Sequence, residues 1–262
     1  MARTIAIHSF KGGTGKSTVT VNLAAALASR GKRVGIMDMD LEGPGLHVMF
    51  NIDPSKVQFT LNDVLLNSAS PEQAAINMNE KLGLKTGAIY FCPASVKVSD
   101  MLRTLREGFE MESFSSAVKG VQNGFHLDYL LVDTHPGIED DTLLAMGVCD
   151  DLILISRIDH QDIFGTAVMV EVARRLEKNT QLLVNMIPQN MKESNASKLA
   201  GNIGANFNIP LLGWLPFSPD VVESLSNFVF VTAFPKHSMT TRFRELAARM
   251  EIEGMNGGAR PQ

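Results

Sequence analysis

The 262-residue chain is predicted to fold as an α/β protein with a doubly wound, mostly parallel sheet and helices on both faces. Three observations predict this. Short apolar runs alternate with segments of helical periodicity along the whole length, which is the pattern of strands joined by crossover helices. The first apolar run leads straight into a glycine-rich turn, "FKGGTGKST", that opens a helix. Two further apolar runs, "KRVGIMDMD" and "LDYLLVDTHPG", end in aspartates. Open α/β sheets collect their chemistry at the carboxyl ends of the strands.

Taken in order, residues 3–9 read as a strand, and "KSTVTVNLAAALASRG" as a helix with Val19, Leu23, Ala26 and Leu27 on one face, stopped at Gly31. "KRVGIMDMD" is the next strand. "TLNDVLLN" and "PEQAAIN" read as short helices, and "AIYFCPAS" as a strand ending at Pro93. Residues 99–107 and 111–123 are helical by spacing. "LDYLLVDTHPG" is a strand running into a turn. "DDLILISR", "TQLLVNMIP" and "LLGWLP" are strands, and "QDIFGTAVMVEVARRLEK" is a helix. "FVFVTAF" (228–234) has the length of a buried strand. Residues 238–250 close as a helix, with Phe243, Leu246, Ala247 and Met250 on one face.

Composition limits the function classes. The chain is 45% hydrophobic and 20% charged, enough for a sizeable core. A net charge of -4 gives no bulk attraction for nucleic acid, so only a local patch would serve. The two cysteines, Cys92 and Cys149, stand in no metal-ligand spacing and fit a reducing cytoplasm. "MARTIAIHS" has neither the apolar run nor the cleavage site of a signal peptide. No stretch approaches the roughly 18 to 20 apolar residues that span a bilayer. A cytoplasmic protein is expected.

The glycine-rich turn carries the clearest chemistry. In the pattern G-x-x-x-x-G-K-[ST] the last three positions are Gly15, Lys16 and Ser17, while Phe10 replaces the first glycine. Gly12 and Gly13 let backbone N–H groups turn inward around phosphate oxygens, and Thr14 completes the loop. Helix onset at Gly15 adds the positive end of a helix dipole. Lys16 would charge-pair with the β- and γ-phosphates, the Ser17 hydroxyl would ligate Mg²⁺, and Thr18 would reach the α-phosphate. Asp38 and Asp40, two apart at a strand end, would share a face and suit Mg²⁺-bound and attacking water. The plainer alternative for either is a capped strand end, and Glu42 reads as a solvated loop charge. Asp133 ends a buried strand and would deliver one carboxylate to Mg²⁺. His135, in the turn that follows, is either a γ-phosphate contact or a partly exposed turn residue.

"KGGTGKST" resembles the deviant Walker A motif of the MinD/ParA family of dimerising P-loop ATPases, and the "DMD" and "DTHPG" stretches follow in that family's order. The resemblance runs from Thr4 to about Met250. It implies a single ATPase domain over residues 1–251, with a disordered tail at 252–262. It implies ATP and Mg²⁺ as cofactors and a homodimer in the ATP state, in which Lys11 reaches the phosphates of the other subunit. It assigns Asp40 to orienting the attacking water and places Asp38 near the metal. Asn185 would hydrogen-bond the adenine edge, with backbone groups near Pro216 reading the base. Met186 after Asn185, in place of the "NKxD" of guanine readers, favours ATP over GTP.

The implied function is a slow, partner-stimulated ATPase switch in spatial positioning or regulation. Two alternatives stay open. "DLEGPGL" is similar to a turn of Mrp-like iron–sulfur or metal delivery ATPases, although their close cysteine pair is missing here. A ParA-type DNA-partitioning protein would use Arg174, Arg175, Arg242, Arg244 and Arg249 as a basic patch, where solvated helix faces are the plainer reading. The tail lacks the basic amphipathic pattern of a membrane-binding helix. Asp159 or Asp162 is expected to cap a helix rather than join His160 on a metal, and Trp214 is expected in the core.

Overall fold

The computed structural model describes residues 2–224 and 226–256, the last four of them by backbone alone. Its strands are β1 (Arg3–His8), β2 (Arg33–Met39), β3 (Ile76–Asn77), β4 (Ala88–Cys92), β5 (Tyr129–Thr134), β6 (Asp151–Ser156), β7 (Asn179–Ile187) and β8 (Leu211–Pro216). They form one sheet in the order β3-β4-β2-β5-β1-β6-β7-β8. Every pairing is parallel except β3 with β4. The doubly wound α/β expectation holds.

Alternation along the strands sends side chains to two cores. Ile5, Ile7, Val34, Ile36, Leu131 and Ile153 face one layer, built on α1 (Lys16–Ser29) and α12 (Ser238–Asn256). Ala6, Met37, Leu130, Val132 and Leu152 face the other, which includes α3 (Leu61–Leu65), α6 (Met111–Gly124), α7 (Asp140–Val148) and α8 (His160–Arg175). Because both faces are covered, the strands read as continuous apolar runs. The α1 helix is buried on more than the predicted face: every residue from Val19 to Ala28 is buried, since α12 covers the side turned away from the sheet.

Four expectations are corrected. Residues 228–234 are not a strand; Phe230–Ala233 is a single helical turn, α11, introduced by Val231 N–H donating to Asn22 Oδ1 of α1 at 2.9 Å. The remaining helices are α2 (Leu46–Met49), α4 (Pro71–Ala74), α5 (Val98–Glu107), α9 (Glu193–Phe207) and α10 (Pro219–Glu223). The α4 helix stops short of Ile76, which pairs as β3 instead of continuing it. Trp214 is not core: β8 is an edge strand, and the indole lies half-exposed under the Arg242 guanidinium, 4.6 Å from its ring centroid. The α12 helix continues past Met250 to Asn256, into the expected tail; residues 257–262 lie outside the described residues. Among the described residues no helix is long and apolar enough to cross a membrane.

Candidate nucleotide site

The carboxyl ends of β1, β2 and β5 lie side by side. Ile7 is level with Asp133, and Asp133 with Asp38, so three neighbouring strands bring the phosphate loop and two carboxylates together. The loop leaves β1 at Ser9 and enters α1 at Lys16. Gly15 precedes the helix at φ 86°, a left-handed conformation that glycine adopts freely. A Cβ there would stand 2.5 Å from Asn185 Nδ2, so glycine is also required by space. Phe10, in place of the first glycine of the usual pattern, packs its ring on Gly165 of α8, where a side chain would collide with it.

Asp133 is the hub. It is 1% exposed, and its Oδ2 accepts from Ser17 Oγ at 2.7 Å. Its Oδ1 accepts from Thr20 Oγ1 at 2.8 Å. Lys16 Nζ lies 3.1 Å from Oδ2 as an ion pair, off the hydrogen-bond direction, so the buried ammonium still lacks an aligned acceptor. Thr14 Oγ1 is likewise buried without a partner among the described residues. Buried polar groups are normally satisfied, and two unsatisfied donors on a glycine-rich loop fit an anion such as phosphate. Thr20 is a contact the sequence reading missed; its place one helical turn after Lys16 was the available signal.

Asp38 is fully buried. Its Oδ1 accepts from Asp40 N and its Oδ2 from Leu46 N, both at 3.3 Å. Burial, and then the neighbouring Asp133, push its carboxyl up to about 8. Asp40 lies just past the end of β2, half-buried, with Oδ1 accepting from Gly43 N at 3.0 Å. Burial raises its carboxyl, against the charges of Lys16 and His135. The His135 side chain is half-buried, its Nδ1 without a partner among the described residues.

A pH prediction follows for the metal-free protein. The folded value of Asp38 lies above its unfolded value. Between about pH 4 and 8 the unfolded chain therefore sheds a proton that the folded chain keeps, and stability falls as pH rises. Asp38→Asn removes this loss but gives up one acceptor for a backbone N–H. Its stability relative to the native chain should improve by on the order of 3 kcal/mol between pH 5 and 7.5. Urea unfolding in EDTA at several pH values checks this, and a difference independent of pH would contradict it.

Beyond the loop, a cavity of about 250 Å³ is lined by Gly15, Thr18, Val19, Asn185, Pro216 and Phe217, among others. Its apolar wall and position beside α1 suit a nucleobase and sugar. The Asn185 side chain, however, is engaged with the loop: Nδ2 donates to Thr14 O at 2.7 Å, and Oδ1 accepts from Met186 N at 2.9 Å. Lys11 stands apart from this cluster. Its ammonium donates to Gln161 Oε1 at the start of α8 and is half-exposed. Gly12 and Gly13 are exposed beside it.

Other candidate groups are used structurally. Asp159 caps α8 by accepting from Asp162 N at 3.1 Å, and Asp162 pairs with Arg157. The arginines of the suggested basic patch are individually engaged: Arg242 with Glu193 and Glu245, Arg175 with Glu171, and Arg174, Arg244 and Arg249 with backbone carbonyls. Cys92 and Cys149 are both fully buried, and burial pushes both thiols up, Cys92 to about 12.

With this geometry in hand, comparison with known proteins gives consistent matches. A ParA family profile described as NUBPL iron-transfer P-loop NTPase matches residues 1–251. An uncharacterized ATP-binding protein of Methanocaldococcus jannaschii is 28% identical over 251 residues, covering 95% of this chain and 88% of that protein. An iron-sulfur cluster carrier protein of Methanococcus maripaludis is 32% identical over 177 residues, covering 66% of this chain and 56% of its own length. Among solved structures, the cell division ATPase MinD of Pyrococcus furiosus superposes with a TM-score of 0.80 at 25% identity, covering 96% of this chain and 99% of its own.

Proposed function

We propose that this chain, which belongs to the ParA family of P-loop NTPases, is a cytoplasmic ATPase switch that forms a homodimer when ATP is bound and is released by slow hydrolysis to ADP and phosphate. One observation carries the reading. The loop holds one lysine inward and one outward: Lys16 is buried against Asp133, while Lys11 turns away to the half-exposed edge at Gln161. A phosphate loop grips its ligand from one side, and charge on the outer face of the γ-phosphate has to come from another element. Lys11 would supply that charge to the nucleotide of a second copy of the chain.

Gly12, Gly13, Thr14, Gly15, Lys16, Ser17 and Thr18 would hold the phosphates, with Asn185 and Pro216 beside the base. Ser17, Asp133 and Asp38 would hold Mg²⁺, which neutralises charge on the phosphates when bound. Asp40 orients the attacking water and accepts its proton. The ionised carboxylate is needed for that step, so turnover should rise with pH through the raised Asp40 range.

Turnover by the dilute protein alone is expected on the order of 10⁻⁴ to 10⁻² s⁻¹, with a rate per chain that increases with protein concentration. Phosphate release across a dilution series measures both. Many turnovers per second, independent of concentration, would contradict the reading.

A second reading, iron or iron–sulfur delivery, is favoured by the family description and by the name of the Methanococcus relative. It needs thiolates that can reach a metal, whereas Cys92 and Cys149 are each buried and favour the neutral thiol. Iron bound in stoichiometric amount to anaerobically purified protein, and lost on Cys92→Ala or Cys149→Ala, would favour delivery over the switch.

A further inference from the structure

His8 is the last residue of β1, immediately before the phosphate loop, and is 0% exposed. Its Nδ1 lies 2.8 Å from Thr134 Oγ1, at the end of β5. The Thr134 hydroxyl donates its one proton to Ile7 O at 3.1 Å, so it can only accept from the ring. That assigns the proton to Nδ1 and leaves Nε2 as a bare acceptor, buried and without a partner among the described residues. Burial first, then the Lys16 charge and His135, push the imidazolium down to about 3, so the ring is neutral. One residue on, Ser9 O accepts from Gly137 N at 3.2 Å, and Ser9 Oγ donates to Lys11 O at 2.9 Å. Residues 7–9 are thus fastened to the loop at 135–139, which carries His135 and leads into α7.

We propose that His8 is a positioning residue: by donating from Nδ1 to the Thr134 hydroxyl it holds the end of β5, where the loop at 135–139 begins, to the strand that enters the phosphate loop, and so supports turnover rather than nucleotide affinity. The bond joins the ends of β1 and β5, from which the phosphate loop and the loop carrying His135 depart. A neutral ring is also what the site requires. A second cation beside Lys16 would compete with it for the same anions. The consequence for turnover rests on the ATPase reading above; the tie itself does not.

Three variants separate the tie from simple packing. Asparagine can place an N–H donor where Nδ1 stands, glutamine reaches instead toward the place of Nε2, and leucine fills the volume without a donor. His8→Asn should keep turnover within about threefold of the native chain, while His8→Gln and His8→Leu should lose about tenfold. The dissociation constant for fluorescent ADP should move less than about twofold in all three, since no contact to the phosphates is removed. Thr134→Val removes the bond to His8 together with the donor to Ile7 O, so it should lose at least as much as His8→Leu, and the double variant should be no worse than Thr134→Val alone.

Nitrogen-15 NMR of the native protein should show His8 protonated at Nδ1 and bare at Nε2. Amide exchange across 135–139 should be faster in His8→Leu than in the native chain, whether or not the protein hydrolyses ATP. That readout separates failure of the tie from failure of the ATPase reading. A proton on Nε2, unchanged exchange in His8→Leu, or His8→Asn as slow as His8→Leu would overturn the proposal.

Discussion

Lys16→Ala is expected to weaken Mg·ATP binding at least about 100-fold. Lysine supplies charge-assisted contacts to the phosphates, each in the range of about 1.5–3 kcal/mol. No other basic side chain of the loop points inward, since Lys11 is turned to Gln161. The substitution has a second effect. Asp133 would lose its buried counter-ion and keep only the Ser17 and Thr20 hydroxyls. Removing one member of a buried pair costs about 3–5 kcal/mol, so the variant should also unfold more readily. Lys16→Gln, which preserves bulk, should lose binding to a similar extent. Isothermal titration on protein shown by circular dichroism to be folded measures the effect, and native affinity in either variant would remove Lys16 from the site.

Asp40→Ala is expected to bind ATP normally and to lose hydrolysis by a factor on the order of 10² to 10⁴. Among the described residues its carboxylate accepts a hydrogen bond from Gly43 N alone, so the fold should tolerate the change. The switch should then stay in its ATP form, and a dimer once formed should persist for as long as ATP remains. A variant that hydrolyses ATP at the native rate would return Asp40 to a loop-capping role. The Lys11→Ala/Asp40→Ala double variant should behave as Lys11→Ala alone, since there is no dimer for Asp40 to release.

What could be read from the sequence was what is encoded locally. The loop from Phe10 to Thr18 is contiguous, and the two strands that bring carboxylates to it, β2 and β5, carry them one residue before their ends. Asp38 and Asp133 were visible because an ionisable group ending a run of buried aliphatics is costly without a partner. The missed features depend on contacts made across the fold. His8 looked like part of an apolar strand, and its meaning comes from Thr134, 126 positions away. The run at 228–234 has the composition of a strand, and periodicity alone cannot separate a buried strand from a buried helical turn. Asn22 of α1 decides it by accepting from Val231 N. Trp214 was misplaced because the sequence does not say which strand is at the edge. For the arginines, solvated helix faces are the plainer reading of the sequence, and their partners, backbone carbonyls and glutamates, become visible only in the fold.

The central claim is that ATP joins two copies of this chain through Lys11. Light scattering coupled to size exclusion, with Mg²⁺ and either ATP or ADP, tests it most directly on the native chain, Lys11→Ala and Asp40→Ala. The account predicts a monomer for all three in ADP. In ATP it predicts a transient dimer for the native chain, a lasting dimer for Asp40→Ala, and a monomer for Lys11→Ala that still binds ATP. Dimerisation of Lys11→Ala in ATP to the same extent as the native chain would contradict it and leave Lys11 as a solvated charge beside Gln161.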